Sequence, residues 1–260
     1  MFPEINFGIA KFGTFNLCVG IGLVSMVCLS MRQAVRLHMD RHTEQTVLQS
    51  IPLVTVFAVI PACLLDAFFR RGKLTYDNYL DFGLTFYGWL LGCVIGWWVY
   101  ARITNCRFEF LLNFFSPLLA LAQAFGRIGC FLAGCCYGKP TSSILGICFP
   151  EGSMPWRAFG AQPLYPVQLL EALWLFGVFT ALQYTVPFKC RISAYFISTG
   201  LMRFLIEYLR GDDRGYVFIG CPISPSQCIG SMLVLSGIFM IATAILHKHM
   251  KDNDTRTAPS

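Results

Sequence analysis

Charge is what this sequence has least of. Asp, Glu, Lys and Arg make up 13% of its 260 residues, about half the ~25% of an ordinary soluble domain. With 55% hydrophobic residues and a mean hydropathy of +0.58, the chain carries more apolar surface than one soluble core could hide. A water-soluble fold is thereby excluded. The net charge of +6 is modest, and the basic residues are scattered between apolar runs with no basic stripe. That excludes nucleic acid as a partner and suits loops that face anionic lipid. No internal repeat or low-complexity tract is visible. The first residues lack a basic n-region and include Glu4, so no cleavable signal peptide is expected and the first apolar run acts as its own insertion signal.

Apolar runs are what the chain does have. Seven can be drawn, at 14–31, 47–69, 82–101, 110–132, 163–185, 192–210 and 224–246, each near the ~20 residues a spanning helix needs. The expected fold is an all-α polytopic membrane protein with about seven transmembrane helices and a small outer insert. Residues 1–250 would form a single integral membrane domain, and 251–260, "KDNDTRTAPS", a disordered cytoplasmic tail. Arg32, Arg36 and Arg41 follow the first run, Arg102 and Arg107 the third, and Lys189 and Arg191 the fifth. Basic residues near span ends mark the cytoplasmic side, which puts the N-terminus outside and the C-terminus inside. The connection 137–162 is then the longest outer one. Its Gly, Pro and Ser content predicts turns in place of a helix, and it is the natural cover of an outward-facing site.

Two arginines stand where they are costly. Arg127 and Arg203 lie inside apolar runs, where a mid-helix charge costs about 2.5–3.5 kcal/mol on insertion scales. In "TGLMRFLIEYLRGDD", Thr199, Arg203, Glu207 and Arg210 fall at i, i+4, i+8 and i+11, one polar stripe if the helix continues. Glu207 would then pair with both arginines, and the remaining positive charge would suit a phosphate, whose oxygens match guanidinium forks. A purely structural ion network is the alternative, as is snorkelling to the interface for Arg210 and Arg214. Gly126, Gly129, Gly134 and Gly138 remove side chains where the chain packs closely or turns. Gly88, Gly92 and Gly96 repeat every fourth residue, a small-residue face for helix packing. Gln168 and Glu171 open the fifth run, where solvation at the interface is an equal reading.

Twelve cysteines are present, and most, such as Cys18, Cys28, Cys63 and Cys93, lie inside apolar runs as small hydrophobes. Cys130, Cys135 and Cys136 form C-x4-C-C. With no histidine on the outer side this is a weak metal signature, and no metal or other cofactor is expected. Packing, a disulfide to Cys148 or Cys221, and thiol chemistry stay open.

Taken in order along the chain, these segments resemble the prolipoprotein diacylglyceryl transferase family. "DFGLTFYGWLLG" resembles its SFHGGLLG element and "FGRIGCFLAGCCYGKPT" its GRIGNFINGELYGR signature. "PLYPVQLLEAL" resembles HPSQLYEAL, "LMRFLIEYLRGDD" resembles RFIVEFFRxPD, and "ISPSQCIGSMLVLSG" resembles LSxGQxLSxxMxxxG. The resemblance implies transfer of a diacylglyceryl group from phosphatidylglycerol to the cysteine thiol of a prolipoprotein signal-peptide region, with glycerol phosphate leaving. It implies that Arg127 and Arg210 hold lipid phosphate, and that Gly126, Gly129, Gly134, Gly138, Cys130, Tyr165, Gln168 and Gln227 line the substrate. Arg203, Glu207 and Tyr87 would be the catalytic set.

The departures fall on one side of that chemistry. Tyr87 and Tyr165 stand where the family has histidines, Cys130 where it has asparagine, Ala133 and Cys135 where it has Asn and Glu, and Thr199 where it has tyrosine. The phosphate-side arginines match; the acceptor-side and base positions do not. The four histidines, His38, His42, His247 and His249, all fall on the cytoplasmic side. A histidine base is therefore not expected, and a tyrosine with an ordinary pKa near ~10 is a poor one. Transfer to a non-lipoprotein acceptor, and phospholipid binding or transport without catalysis, are the alternative functions.

Overall fold

Each apolar run overlaps a helix in the structure, a computed structural model that describes residues 4–6, 11–69, 86–212 and 223–257. The helices are α1 (Thr14–Arg36), α2 (Arg41–Phe69), α3 (Phe86–Thr104), α4 (Phe108–Ala133), the short α5 (Met154–Phe159), α6 (Val167–Tyr184), α7 (Arg191–Ile206) and α8 (Pro225–Thr257). Two three-residue strands, β1 (Glu4–Asn6) and β2 (Lys11–Gly13), pair antiparallel ahead of α1. Among the described residues, five helices are long and apolar enough to cross a bilayer: α1, α2 over Arg41–Leu64, α4, α6 and α8 over Pro225–Leu246. Large apolar side chains point outward from them, with Leu235 and Phe239 of α8 more than half exposed. In water such a surface would aggregate; in hydrocarbon it is the solvated face. At 16 residues, α7 is shorter than a full span.

The described residues pack as two compact units. In Val27–Phe115, α2 and α3 close against each other through the predicted glycine face. A Cβ on Gly88 would lie 2.6 Å from the Ala62 Cα, and one on Gly96 would lie 3.0 Å from the Phe57 Cβ, so side chains there would force the helices apart. Trp97 stacks on Phe115 at 4.7 Å, and the Tyr100 hydroxyl donates to the Thr46 carbonyl at 2.6 Å.

The other unit comprises Met1–Met26 with Ser116–Ser260. Here α7 and α8 approach closely enough that a Cβ on Gly230 would lie 2.8 Å from the Gly200 carbonyl oxygen. Ser224 caps α8: its Oγ accepts from the Gln227 N–H, and Gln227 Oε1 accepts from the Ser224 N–H. This reciprocal capping box, with Pro225 next, defines the start of the helix. At the other end α8 runs on through 251–257, the stretch read from sequence as a disordered tail. After Gly237 no glycine or proline occurs before Pro259, so helix already formed propagates at one hydrogen bond per residue.

The insert also departs from expectation. It contains α5, a six-residue helix, because Ser153 supplies an N-cap oxygen to the Trp156 N–H and a proline sits in the first turn. The base of the insert is fixed by backbone bonds. The Lys139 N–H donates to the Leu209 carbonyl, the Tyr165 N–H to the Lys139 carbonyl, and the Gly211 N–H to the Tyr137 carbonyl.

Candidate functional site

The end of α4 shapes the site. Gly134 takes φ 73°, a left-handed conformation that glycine adopts without the Cβ penalty. Its N–H donates to the Phe131 carbonyl at 3.2 Å, and the Cys135 N–H reaches back to the Cys130 carbonyl at 3.1 Å. These two bonds are a Schellman closure, which brings the residue two past the helix end onto the residue three before its cap. Those residues are Cys135 and Cys130. Cys136 is also left-handed, at φ 60°, and turns back toward them. The three sulfur atoms lie within 4.8 Å of one another. Gln168, fully buried at the start of α6, clamps the turn by donating from Nε2 to the Cys135 carbonyl at 2.7 Å. Hydrogen bonds from Cys130 and Cys135, with Arg210 and Arg127 nearby, hold the Cys136 thiol well below its ordinary range. Among the described residues every cysteine is in the thiol form; Cys221 lies outside them.

Beside this turn, Glu171 of α6 holds two arginines from two other helices. Its Oε2 pairs with Arg127 Nε from α4, and its Oε1 accepts from Arg203 Nη1 of α7 at 2.6 Å. Arg127, Glu171 and Arg203 are 7%, 2% and 2% exposed. Such burial is tolerable only because the charges are paired. Arg203 Nη2 also reaches the Ser226 hydroxyl at 3.4 Å. Arg210, just past α7, makes a bidentate pair with Asp212, Nε to Oδ1 at 2.8 Å and Nη2 to Oδ2 at 2.7 Å. Its charge also bears on Glu171, so all three guanidinium groups act on one carboxylate. A small cleft beside the triad is lined by Gln123, Glu171, Leu175, Thr199, Met202 and Arg203.

Three positive charges thus meet two negative ones. No described residue accepts from the Nη groups of Arg127, and Arg210 Nη1 is buried without a hydrogen-bond partner among the described residues. Among the described residues the site therefore has one guanidinium group in excess of its carboxylates, and donors to spare.

Several expectations need correction. Glu207 pairs with neither Arg203 nor Arg210 among the described residues. The helix ends at Ile206 and Glu207–Leu209 is a 3-10 turn, whose three residues per turn break the stripe counted at 3.6. Thr199 turns inward to its own helix, donating to the Tyr195 carbonyl at 2.6 Å. A Cβ at Gly126 would meet nothing within 4 Å, so close packing does not require glycine there. Gly129 does pack closely, since a Cβ there would lie 3.1 Å from Phe15 and Cys18 side-chain atoms, and so does Gly138, where a Cβ would lie 2.7 Å from the Tyr165 Cβ. Gln227 serves the cap of α8. Tyr87 lies in the first turn of α3, and its side chain lies outside the described residues. The functional group that the sequence reading left open is Glu171. Its signal was there: an acid in "VQLLEALWLF" carries the same insertion penalty as Arg127.

Apolar-faced helices around a buried cluster of arginines and carboxylates define an integral membrane protein with a cationic pocket among its helices. The chain belongs to the prolipoprotein diacylglyceryl transferase family, whose family model matches residues 4–243. It is 30% identical over 240 residues to phosphatidylglycerol–prolipoprotein diacylglyceryl transferase 2 of Clostridium perfringens, covering 88% of this chain and 90% of that protein. It is 37% identical over 162 residues to the phosphatidylglycerol–prolipoprotein diacylglyceryl transferase of Clostridium tetani, covering 61% and 63%. A protein of the same name from Finegoldia magna is 29% identical over 241 residues, covering 88% and 91%.

Proposed function

We propose that the chain transfers the diacylglyceryl group of phosphatidylglycerol to the lipobox cysteine thiol of prolipoproteins and releases glycerol phosphate. The observation that carries this reading is the excess of one guanidinium group over the carboxylates among the described residues of the buried cluster, which matches the single negative charge of a phosphodiester. Arg127 and Arg210 have donors to offer it. Glu171 positions Arg127 and Arg203 so that the guanidinium groups need not reorganise when charge develops on the departing phosphate. Away from bulk water each such charge-assisted bond is strengthened. The reading places the chain in the bacterial cytoplasmic membrane with seven spans, N-terminus outside and C-terminus inside, on the basic residues that follow α1 and α3.

The test is reconstitution of the purified chain with phosphatidylglycerol and a lipobox peptide. Mass spectrometry should find the diacylglyceryl thioether on the peptide, with glycerol phosphate released in equal amount. A reconstituted chain that turns over phosphatidylglycerol but never modifies the peptide would move the proposal to another acceptor. One that turns over no phospholipid would leave only binding.

A further inference from the structure

We propose that Cys130, Cys135 and Cys136 form a trithiolate site for a zinc-class divalent cation, with its fourth position open to an incoming thiol. The convergence of three sulfur atoms within 4.8 Å is the basis. Zinc with Zn–S bonds of about 2.3 Å in tetrahedral geometry sets its sulfur ligands ~3.8 Å apart, so closure requires a contraction of no more than roughly 1 Å. The helix-ending motif accounts for the meeting of Cys130 with Cys135 but demands nothing of the next residue. Cys136 nevertheless adopts a left-handed φ of 60°, unusual for a side chain other than glycine, and so brings a third sulfur to the same point. The turn is held from outside by the Gln168 bond to the Cys135 carbonyl, the kind of support that orients metal ligands. All three cysteines are partly exposed, leaving a side for a fourth ligand. Three protein ligands with one open position is the pattern of a catalytic zinc, whereas structural sites are closed by four.

Metal binding stands on this geometry alone; the use of the open position rests on the transferase reading. There it supplies a way to deprotonate the acceptor without a histidine. The acceptor thiol binds at the fourth position and releases its proton to water, because a coordinated thiol is held as thiolate. A sulfur lone pair then forms the S–C bond to glycerol C3 of the lipid. The C3–O bond breaks, its electron pair leaves with the glycerol phosphate, and the metal stays divalent throughout.

The experiment is elemental analysis of the full-length chain purified in detergent without chelator, then reloaded with zinc. About one zinc per chain is expected. Cys130→Ser, Cys135→Ser and Cys136→Ser should each weaken it at least about tenfold, while Cys148→Ser leaves it unchanged. Cobalt(II) substitution of the wild-type chain should give thiolate-to-metal charge-transfer bands, a readout that needs no variant to fold. Failure of the wild-type chain to bind zinc or show those bands would overturn the site, as would a disulfide among the three in the isolated chain. A chain that binds zinc but turns over no phosphatidylglycerol keeps the site and removes the transferase reading. Transfer that persists after complete metal removal eliminates the open-position role.

Discussion

Glu171→Gln isolates the contribution of the buried carboxylate, because it keeps the side-chain shape and removes only the charge. Glu171 is 2% exposed and is the acid paired with both Arg127 and Arg203. The substitution leaves two guanidinium groups in a low-dielectric site facing a neutral amide. Removing one partner of a buried ion pair costs about 3–5 kcal/mol. For a chain of this size each kcal/mol lowers the midpoint by about 2–4 °C, so the expected drop in Tm is roughly 6–20 °C. It would be followed by circular dichroism of the detergent-purified protein. Arg203→Met should cost less in the Glu171→Gln background than in the wild type, since the second change no longer breaks an ion pair. Glu207→Gln is the counterpart: with no ion pair to lose among the described residues, it should cost under about 1 kcal/mol. A Glu171→Gln variant that melts within about 2 °C of the wild type, or strictly additive effects with Arg203→Met, would refute the view that the triad depends on charge pairing.

Arg127→Lys and Arg203→Lys should each lower turnover of phosphatidylglycerol by at least about tenfold, because an ammonium lacks the planar fork; wild-type rates in both would remove the arginines from phosphate binding. Gly138→Val should abolish activity in protein that still inserts, since a Cβ there presses on the Tyr165 Cβ at 2.7 Å and on the Leu209 carbonyl oxygen at 3.0 Å; an active variant would show that this backbone crossing is not part of the site. Ser224→Ala should destabilise by about 1 kcal/mol through loss of the α8 cap, measured as a lower midpoint in thermal unfolding. A tag after Ser260 should be shielded from a membrane-impermeant reagent in intact cells and one within 142–153 labelled; equal labelling would refute the seven-span orientation.

Much of this protein was legible in its sequence for one physical reason: a hydrocarbon solvent makes the one-dimensional pattern of apolarity and charge a direct record of the fold. Each apolar run overlaps a helix of the described residues, and the Gly88–Gly92–Gly96 repeat became the α2–α3 contact. Arg127 and Arg203 proved buried because their insertion cost implied an interior role. The pairing of those charges was not legible. Which carboxylate meets which arginine depends on where α4, α6 and α7 cross, and on the tightening of Glu207–Leu209 that ends the α7 stripe. Spacing along one helix pointed to Glu207; packing between three helices selected Glu171. The cysteines divide the same way. Their spacing, C-x4-C-C, says little, and only the left-handed turns at Gly134 and Cys136 bring three sulfur atoms to one point. Local free energies decide which segments are helical, whereas partners distant in sequence are chosen by the backbone crossings that bury them together.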